Sequence, residues 1–285
     1  MYMTIVILTT NMTTIIPKRF TMSASSQGFA LITGASSGIG ATYARRLAAR
    51  GYDLILVARD QARLEMLAQT LQQQHQIEAR ILRADLTDPE DLLRVEQELR
   101  DNTAITLLAN NAGMSVDGEF IDADIDRIQT MLALNVIAPT RLAHAAANAF
   151  RARGHGVIIN VASVLSLMHE MFNGAYNGSK SFVLTLTRSM QRELENSGVQ
   201  VQAVLPGATR TEIFDRSGKS IDELPAGMVM EVEEMVDAAL AGLEAGEAVT
   251  IPALEEIALW QDYDRARGAM LPYLSLSQSA SRYRE

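Results

Sequence analysis

The apolar run FALI (29–32) turns on the glycines of TGASSGIG (33–40) directly into the helical pattern ATYARRLAARGY. A strand that turns into a helix on glycines leaves the first helical N–H groups facing outward, where they bind an anion. Gly34 permits the tight turn, Gly38 lets a pyrophosphate approach the backbone, and Gly40 lets helix pack closely on strand. With Ser36, Ser37 and Ile39 they form the expected cradle of a dinucleotide. The spacing is G-x-x-x-G-x-G rather than G-x-G-x-x-G, so taken alone it fits a structural turn as well.

The rest of the chain repeats the same alternation. Apolar runs at 53–59, 79–86, 104–113, 156–163, 199–207 and 247–253 read as strands, and helical patterns at 60–75, 88–100, 124–153 and 176–197 separate them. Strands joined through helices of ten or more residues pair in parallel through right-handed crossovers. The expected fold is α/β: a single doubly wound Rossmann-type domain with a mostly parallel seven-stranded sheet and helices on both faces. Its bounds are read as 28–252. Residues 1–27, rich in Met and Thr, are read as a disordered extension, with Met22 as the working start, and residues 253–285 as a helical extension that packs on the domain or on a neighbouring subunit.

Ligands of such sheets lie outside the carboxyl ends of the strands. Those ends carry TGASSGIG, Ala58-Arg59, Asp85-Leu86, NNAG (110–113), Ser163 and Pro206-Gly207. Tyr176 and Lys180 stand four apart in YNGSK, on one face of a helix with Cβ atoms about 5–6 Å apart. A fixed positive charge favours the phenolate, so Lys180 is expected to lower Tyr176 and make it an acid/base near neutrality. Ser163 closes a buried strand thirteen residues before the tyrosine, which puts its hydroxyl at the same edge.

TGASSGIG, NNAG, Ser163, YNGSK and the PG of LPGATRT, in this order over about residues 28–252, resemble the short-chain dehydrogenases/reductases. The resemblance implies hydride transfer between a nicotinamide and a carbonyl or alcohol. Tyr176 would be the acid/base, Ser163 the partner of the reacting oxygen, Lys180 the ligand of the nicotinamide ribose, and Asn135 the holder of a water linking the lysine to solvent. Pro139, four residues after Asn135, lacks the N–H that would bond its carbonyl, which agrees with such a water seat. By the same resemblance Asp85 and Leu86 lie beside adenine, Asn111, Ala112 and Gly113 support the cofactor, and Pro206, Gly207, Thr209 and Thr211 reach the carboxamide. Arg59 at the end of the second strand favours NADP(H), through its 2′-phosphate; if the register slips by two, Asp60 serves NAD(H) instead. Subunits would pair as a homodimer or homotetramer through the helices at 124–153 and 176–197.

Composition narrows the partners. A formal charge of −9, with no cluster of Lys or Arg, opposes nucleic-acid and membrane binding. The absence of cysteine removes thiolate catalysis and fits a reducing compartment, so cytoplasmic is the default location. The four histidines have no metal-ligand spacing, and no metal is expected.

Two long connections, 164–174 and 212–230, are expected to shape the substrate site. Met168, Met171, Phe172, Ile213, Phe214, Met228 and Met230 supply apolar surface suited to a hydrophobic ketone or aldehyde. Glu170, Asp215, Asp222 and Glu223 oppose a highly anionic one. The rival readings are an NAD-dependent alcohol dehydrogenase of the same family, an epimerase or dehydratase that keeps its cofactor bound, and a dinucleotide sensor without turnover.

Overall fold

The computed structural model describes residues 27–212 and 221–284. Seven strands form one sheet in the order β3-β2-β1-β4-β5-β6-β7: β1 (Phe29–Thr33), β2 (Asp53–Ala58), β3 (Ala79–Arg83), β4 (Ile105–Asn110), β5 (Gly156–Val161), β6 (Val199–Val204) and β7 (Val249–Thr250). Every pairing is parallel. The order reverses between β1 and its neighbour β4, which makes that gap the place where doubly wound sheets hold ligands.

The strands read as unbroken apolar runs because both faces are covered. Alternate residues of each strand enter opposite cores. Ile32, Leu54, Leu56 and Leu107 meet Tyr43 and Leu47 of α1 (Gly38–Ala49), Leu64 and Leu71 of α2 (Gln61–His75) and Met235 of the helix Val232–Glu244. Leu31, Ile55, Val57 and Leu108 meet Val95 and Leu99 of α3 (Pro89–Asp101), and Leu142, Phe150 and Met190 on the helices beyond.

Helix starts follow the sequence closely. Asp60 accepts from the Arg63 N–H at 3.1 Å, and Asp88 accepts from Glu90 and Asp91 at 3.0 Å with Pro89 at the first position. The helix expected over 124–153 is instead two. A single π turn, Ala133–Ile137, separates α4 (Ile125–Leu132) from α5 (Ala138–Arg153). The cause is Pro139: it has no N–H to give four residues back, and the Ala138 N–H reaches the Ala133 carbonyl, five back. α6 runs Gly174–Glu193, shorter at its C-terminus than expected. There Asn196 and Gly198, at φ +62 and +78, turn the chain into β6.

After the helix Val232–Glu244 (α7) and β7, a last helix, α8 (Ile257–Ala269), rests on the β6–β7 end of the sheet. Trp260 packs against the cluster of Val183, Leu184 and Leu205, and Arg188 pairs with Asp264 at 2.9 Å. The expected disorder of 1–27 concerns a segment that, but for Gln27, lies outside the described residues, as do Ile213, Phe214 and Asp215. Among the described residues no helix is long and apolar enough to cross a membrane.

Candidate active site

The cradle is built by three glycines and one threonine. Gly34 holds φ +67, and a Cβ there would sit 2.8 Å from Asn111 Nδ2. A Cβ on Gly40 would fall 2.3 Å from the Gly34 carbonyl oxygen, so helix α1 can begin against the turn only without a side chain. Gly38, at φ +50, faces Thr211, whose Cγ2 would be 3.1 Å from a Cβ. Thr33 ties this turn to the NNAG segment: its Oγ1 accepts from the N–H groups of Asn111 and Ala112, both at 3.0 Å, while Asn111 Nδ2 donates to the Thr33 carbonyl at 3.0 Å. The sequence reads Thr33 as the first residue of the glycine-rich turn and gives no sign of this knot.

The N-terminus of α1 differs from those of four other helices. Asp60, Asp88, Asp124 and Asn173 cap α2, α3, α4 and α6 with their side chains. Ser37 makes no such bond, and the first turn of α1 carries no acidic residue. Its leading N–H groups and the positive end of its dipole therefore face the cradle, beside the half-buried Ser36 and Ser37, while Ile39 packs against the core. The donor set suits a phosphate.

At the end of β2, Arg59 lies exposed with Nη1 3.6 Å from Asp85. Asp85 accepts from the Thr87 N–H at 3.0 Å and its hydroxyl at 2.7 Å. Burial works to raise the Asp85 carboxyl, but the Thr87 hydrogen bonds and the Arg59 guanidinium outweigh it and hold it below the usual range. Asp60 is occupied with capping α2 and lies 3.4 Å from Arg63. Leu86 is buried in the core under α3.

The second group of residues gathers where β4, β5 and β6 end. Ser163 follows β5; its Oγ accepts from the Leu165 N–H at 3.1 Å, donates to the Pro206 carbonyl at 3.5 Å, and lies near enough to the Tyr176 phenol to favour its ionised form. Lys180, buried one turn along α6, donates from Nζ to the Val161 carbonyl at 3.2 Å. Gly113 lies between the lysine and Asn135: a Cβ on it would be 3.4 Å from Nζ and 3.3 Å from Asn135 Oδ1. Asn135, in the π turn, donates to the Met114 carbonyl at 2.8 Å and to Ser179 Oγ at 3.2 Å, and accepts from the Met114 N–H at 2.9 Å. Pro206 is buried beside Ser163, its carbonyl accepting from the Val164 N–H at 3.0 Å, and Thr209 bridges to Met230.

One expectation fails. Lys180 does not bring Tyr176 towards neutrality: burial pushes the phenol up to about 12, and only the Ser163 hydroxyl acts the other way. The same burial pushes Lys180 down to about 8, which weakens the charge that was to favour the phenolate.

Around this edge Met168, Met171, Phe172 and Met228 are exposed large apolar side chains. Met230 is not part of that rim; it packs against the core beside α7. Two buried amides that the sequence left unremarked hold the rim in place. Asn173 caps α6 and donates to the Gly118 carbonyl at 3.1 Å, and Asn177 donates to the carbonyls of Met168 and Met171 at 2.9 and 2.5 Å. Asn173 stands where an N-cap is expected before α6, whereas nothing in the local pattern marks Asn177 or the bond from Asn173 to Gly118.

Comparison with known proteins agrees with this architecture. A family model described as short chain dehydrogenase matches residues 28–222. A short-chain dehydrogenase from Sphingobium yanoikuyae, solved with NADPH, is 47% identical with a TM-score of 0.88, the match covering 90% of this chain and 100% of that one. A bulky-bulky ketone specific alcohol dehydrogenase from Comamonas testosteroni is 42% identical with a TM-score of 0.85, covering 92% and 100%. The very-long-chain 3-oxoacyl-CoA reductase of Scheffersomyces stipitis is 30% identical over 195 residues, 65% of this chain, and the match spans only 56% of that longer protein. By its sheet, its glycine turn and these matches, the chain belongs to the short-chain dehydrogenase family.

Proposed function

We propose that this protein is an NADP(H)-dependent oxidoreductase that interconverts an apolar ketone or aldehyde and its alcohol, with Tyr176 as the acid/base. The observation that carries the reading is the gathering of Ser163, Tyr176 and buried Lys180 at one sheet edge, with the Ser163 hydroxyl acting on the Tyr176 phenol, next to the phosphate cradle. The uncapped N-terminus of α1, the Gly38–Thr211 contact and the Asn111 brace fit a dinucleotide. Arg59, exposed beside Asp85, fits a 2′-phosphate, and the NADPH bound by the Sphingobium relative supports that choice over NAD(H).

When bound, the nicotinamide supplies or accepts the hydride at the carbonyl carbon. The chain's own residues handle the oxygen and its proton. The substrate oxygen takes hydrogen bonds from Ser163 and Tyr176, which stabilise negative charge as it develops. Tyr176 then gives its proton to that oxygen, completing the alcohol, and regains one from solvent. In the oxidative direction the phenolate takes the alcohol proton. Lys180 binds the ribose hydroxyls. Asn135, fixed at both ends by Met114, keeps the π turn in register with Lys180 and Ser179.

The exposed methionines and Phe172 support an apolar substrate, as does the preference for ketones with two large substituents named for the Comamonas relative. Pairing of two copies belongs to the same reading, with the exposed Ile137 and Phe182 beside α5 and on α6 in support; sedimentation of the Phe182→Glu variant tests it. The decisive experiment is Tyr176→Phe with NADPH and a panel of aryl ketones. Loss of turnover by at least about 10³-fold with NADPH affinity retained is expected; unchanged turnover overturns the mechanism, and NADPH binding without turnover of any carbonyl by the unaltered protein favours a sensor.

A further inference from the structure

Three described residues other than glycine hold a positive φ: Gln76, Phe172 and Asn196. Gln76 closes α2 and Asn196 lies in the turn after α6, positions where polar residues take that conformation readily. Phe172 is different. A bulky aromatic side chain sits at φ +64, and the backbone cost is not offset by burial, because the residue is 41% exposed. Strain of this kind persists only where the surroundings over-determine it.

The surroundings do so here. Asn177, 4% exposed, holds the carbonyls of Met168 and Met171 on the near side of Phe172, and Asn173, fully buried, fixes the far side by capping α6. Both amides stand on or against the helix that carries Tyr176, so the loop is indexed to the phenol and not to the distant core. The outcome is an edge-to-face contact: the Phe172 and Tyr176 rings have centroids 5.3 Å apart and planes at 77°. With this contact made, Phe172 is still 41% exposed.

Building on the function proposed above, we infer that Phe172 is the specificity-determining wall of the substrate cleft, presenting its partly exposed side chain to the larger apolar substituent of the carbonyl substrate while Asn173 and Asn177 hold it at a fixed offset from Tyr176. An aromatic ring clamped beside the proton donor offers an aryl or long alkyl substituent a rigid apolar contact that a small ketone cannot use. A flexible methionine at that place would adapt to either; the clamped ring discriminates.

Phe172→Gly is the informative substitution, because glycine takes the left-handed backbone without cost and the variant has no reason to lose its fold. With NADPH, the ratio of kcat/KM for valerophenone to that for cyclohexanone is expected to fall about tenfold, the size of one lost aromatic contact. In the Tyr176→Phe background, calorimetric titration of the NADPH complex with valerophenone should show Kd rising by the same factor when Phe172→Gly is added, while the melting temperature of Phe172→Gly stays level or rises. A ratio and a Kd that move less than twofold overturn the wall. So does a lowered melting temperature with equal losses on both ketones, which would make Phe172 a structural plug. If the unaltered protein turns over neither ketone but the Kd still shifts tenfold, the wall stands and the catalytic reading falls.

Discussion

Lys180 Nζ lies 5.7 Å from the centroid of the Tyr176 ring and spends its hydrogen bond on the Val161 carbonyl, not on the phenol. Buried Lys180 and half-buried Tyr176 are thus neighbours that loss of solvent drives in opposite directions, the lysine down to about 8 and the tyrosine up to about 12.

The first consequence is a pH dependence of stability. Lys180 titrates near 8 when folded and near 10.5 when unfolded, so between those values the unfolded chain binds more protons and stability rises with pH. The burial of charged Lys180 is a cost present below pH 8 and relieved above it, on the order of 3 kcal/mol in all. Urea unfolding of the protein and of Lys180→Met from pH 7 to 10 measures it: the parent should gain on the variant as pH rises. Parallel curves would mean that the lysine is not desolvated.

The second concerns rates. With Tyr176 near 12, the phenol carries its proton across the neutral range, so the acid needed for reduction is always present. The phenolate needed for oxidation is scarce and grows tenfold with each pH unit. Initial rates of alcohol oxidation should therefore climb about tenfold per unit between pH 7 and 9 while reduction stays nearly level. A plateau in oxidation below pH 8 would place the phenol where the sequence argument expected it.

That misplacement shows what a sequence can and cannot convey about such a site. The alternation of strands and helices is legible because parallel strands covered on both faces are apolar along their length, as LILV of β2 and LLA of β4 are. Tyr176, Lys180 and Ser163 are legible because helical spacing and strand ends fix which side of the sheet they reach. The sign of the Tyr176 shift is not, because spacing reveals a neighbouring charge but not how deeply both groups are buried. The π turn at Ala133–Ile137 was half legible: Pro139 announced a break in bonding, whereas its resolution by a five-residue bond depends on packing against β4, where Asn110 donates to the Pro139 carbonyl at 3.4 Å. Met230 shows the opposite failure, a loop residue that tertiary contact with α7 draws into the core.

The glycines of the cradle separate by what surrounds them. Gly40→Ala sets a methyl 2.3 Å from the Gly34 carbonyl oxygen and 2.6 Å from Asn111 Nδ2, and backbone cannot yield as a flexible side chain would. A loss of roughly 3 kcal/mol or more, together with weaker NADPH binding, is expected in thermal melts and titrations. Gly178, in α6 between Tyr176 and Lys180, has nothing within 4 Å of its Cβ position. Gly178→Ala should instead stabilise by about 0.5–1 kcal/mol through helix propensity. Equal effects at the two positions would show that the turn is not closed on the helix as described.

Arg59 and Asp60 divide the second strand's end between ligand and fold. Asp60 caps α2, so Asp60→Ala should cost about 1 kcal/mol, whereas Asp60→Asn, which keeps an accepting oxygen, should cost little. Neither should change the preference between NADPH and NADH if the carboxylate has no contact with the ribose. Among the described residues Arg59 has a single weak partner, Asp85 at 3.6 Å, and most of its surface is exposed, so removing it should leave stability almost unchanged. Arg59→Ala is instead expected to reduce the kcat/KM preference for NADPH over NADH by roughly 10- to 100-fold, the worth of a charge-assisted contact with a phosphate. Steady-state rates with both nucleotides decide the matter, and a preference that follows Asp60 instead of Arg59 would assign the site to NAD(H).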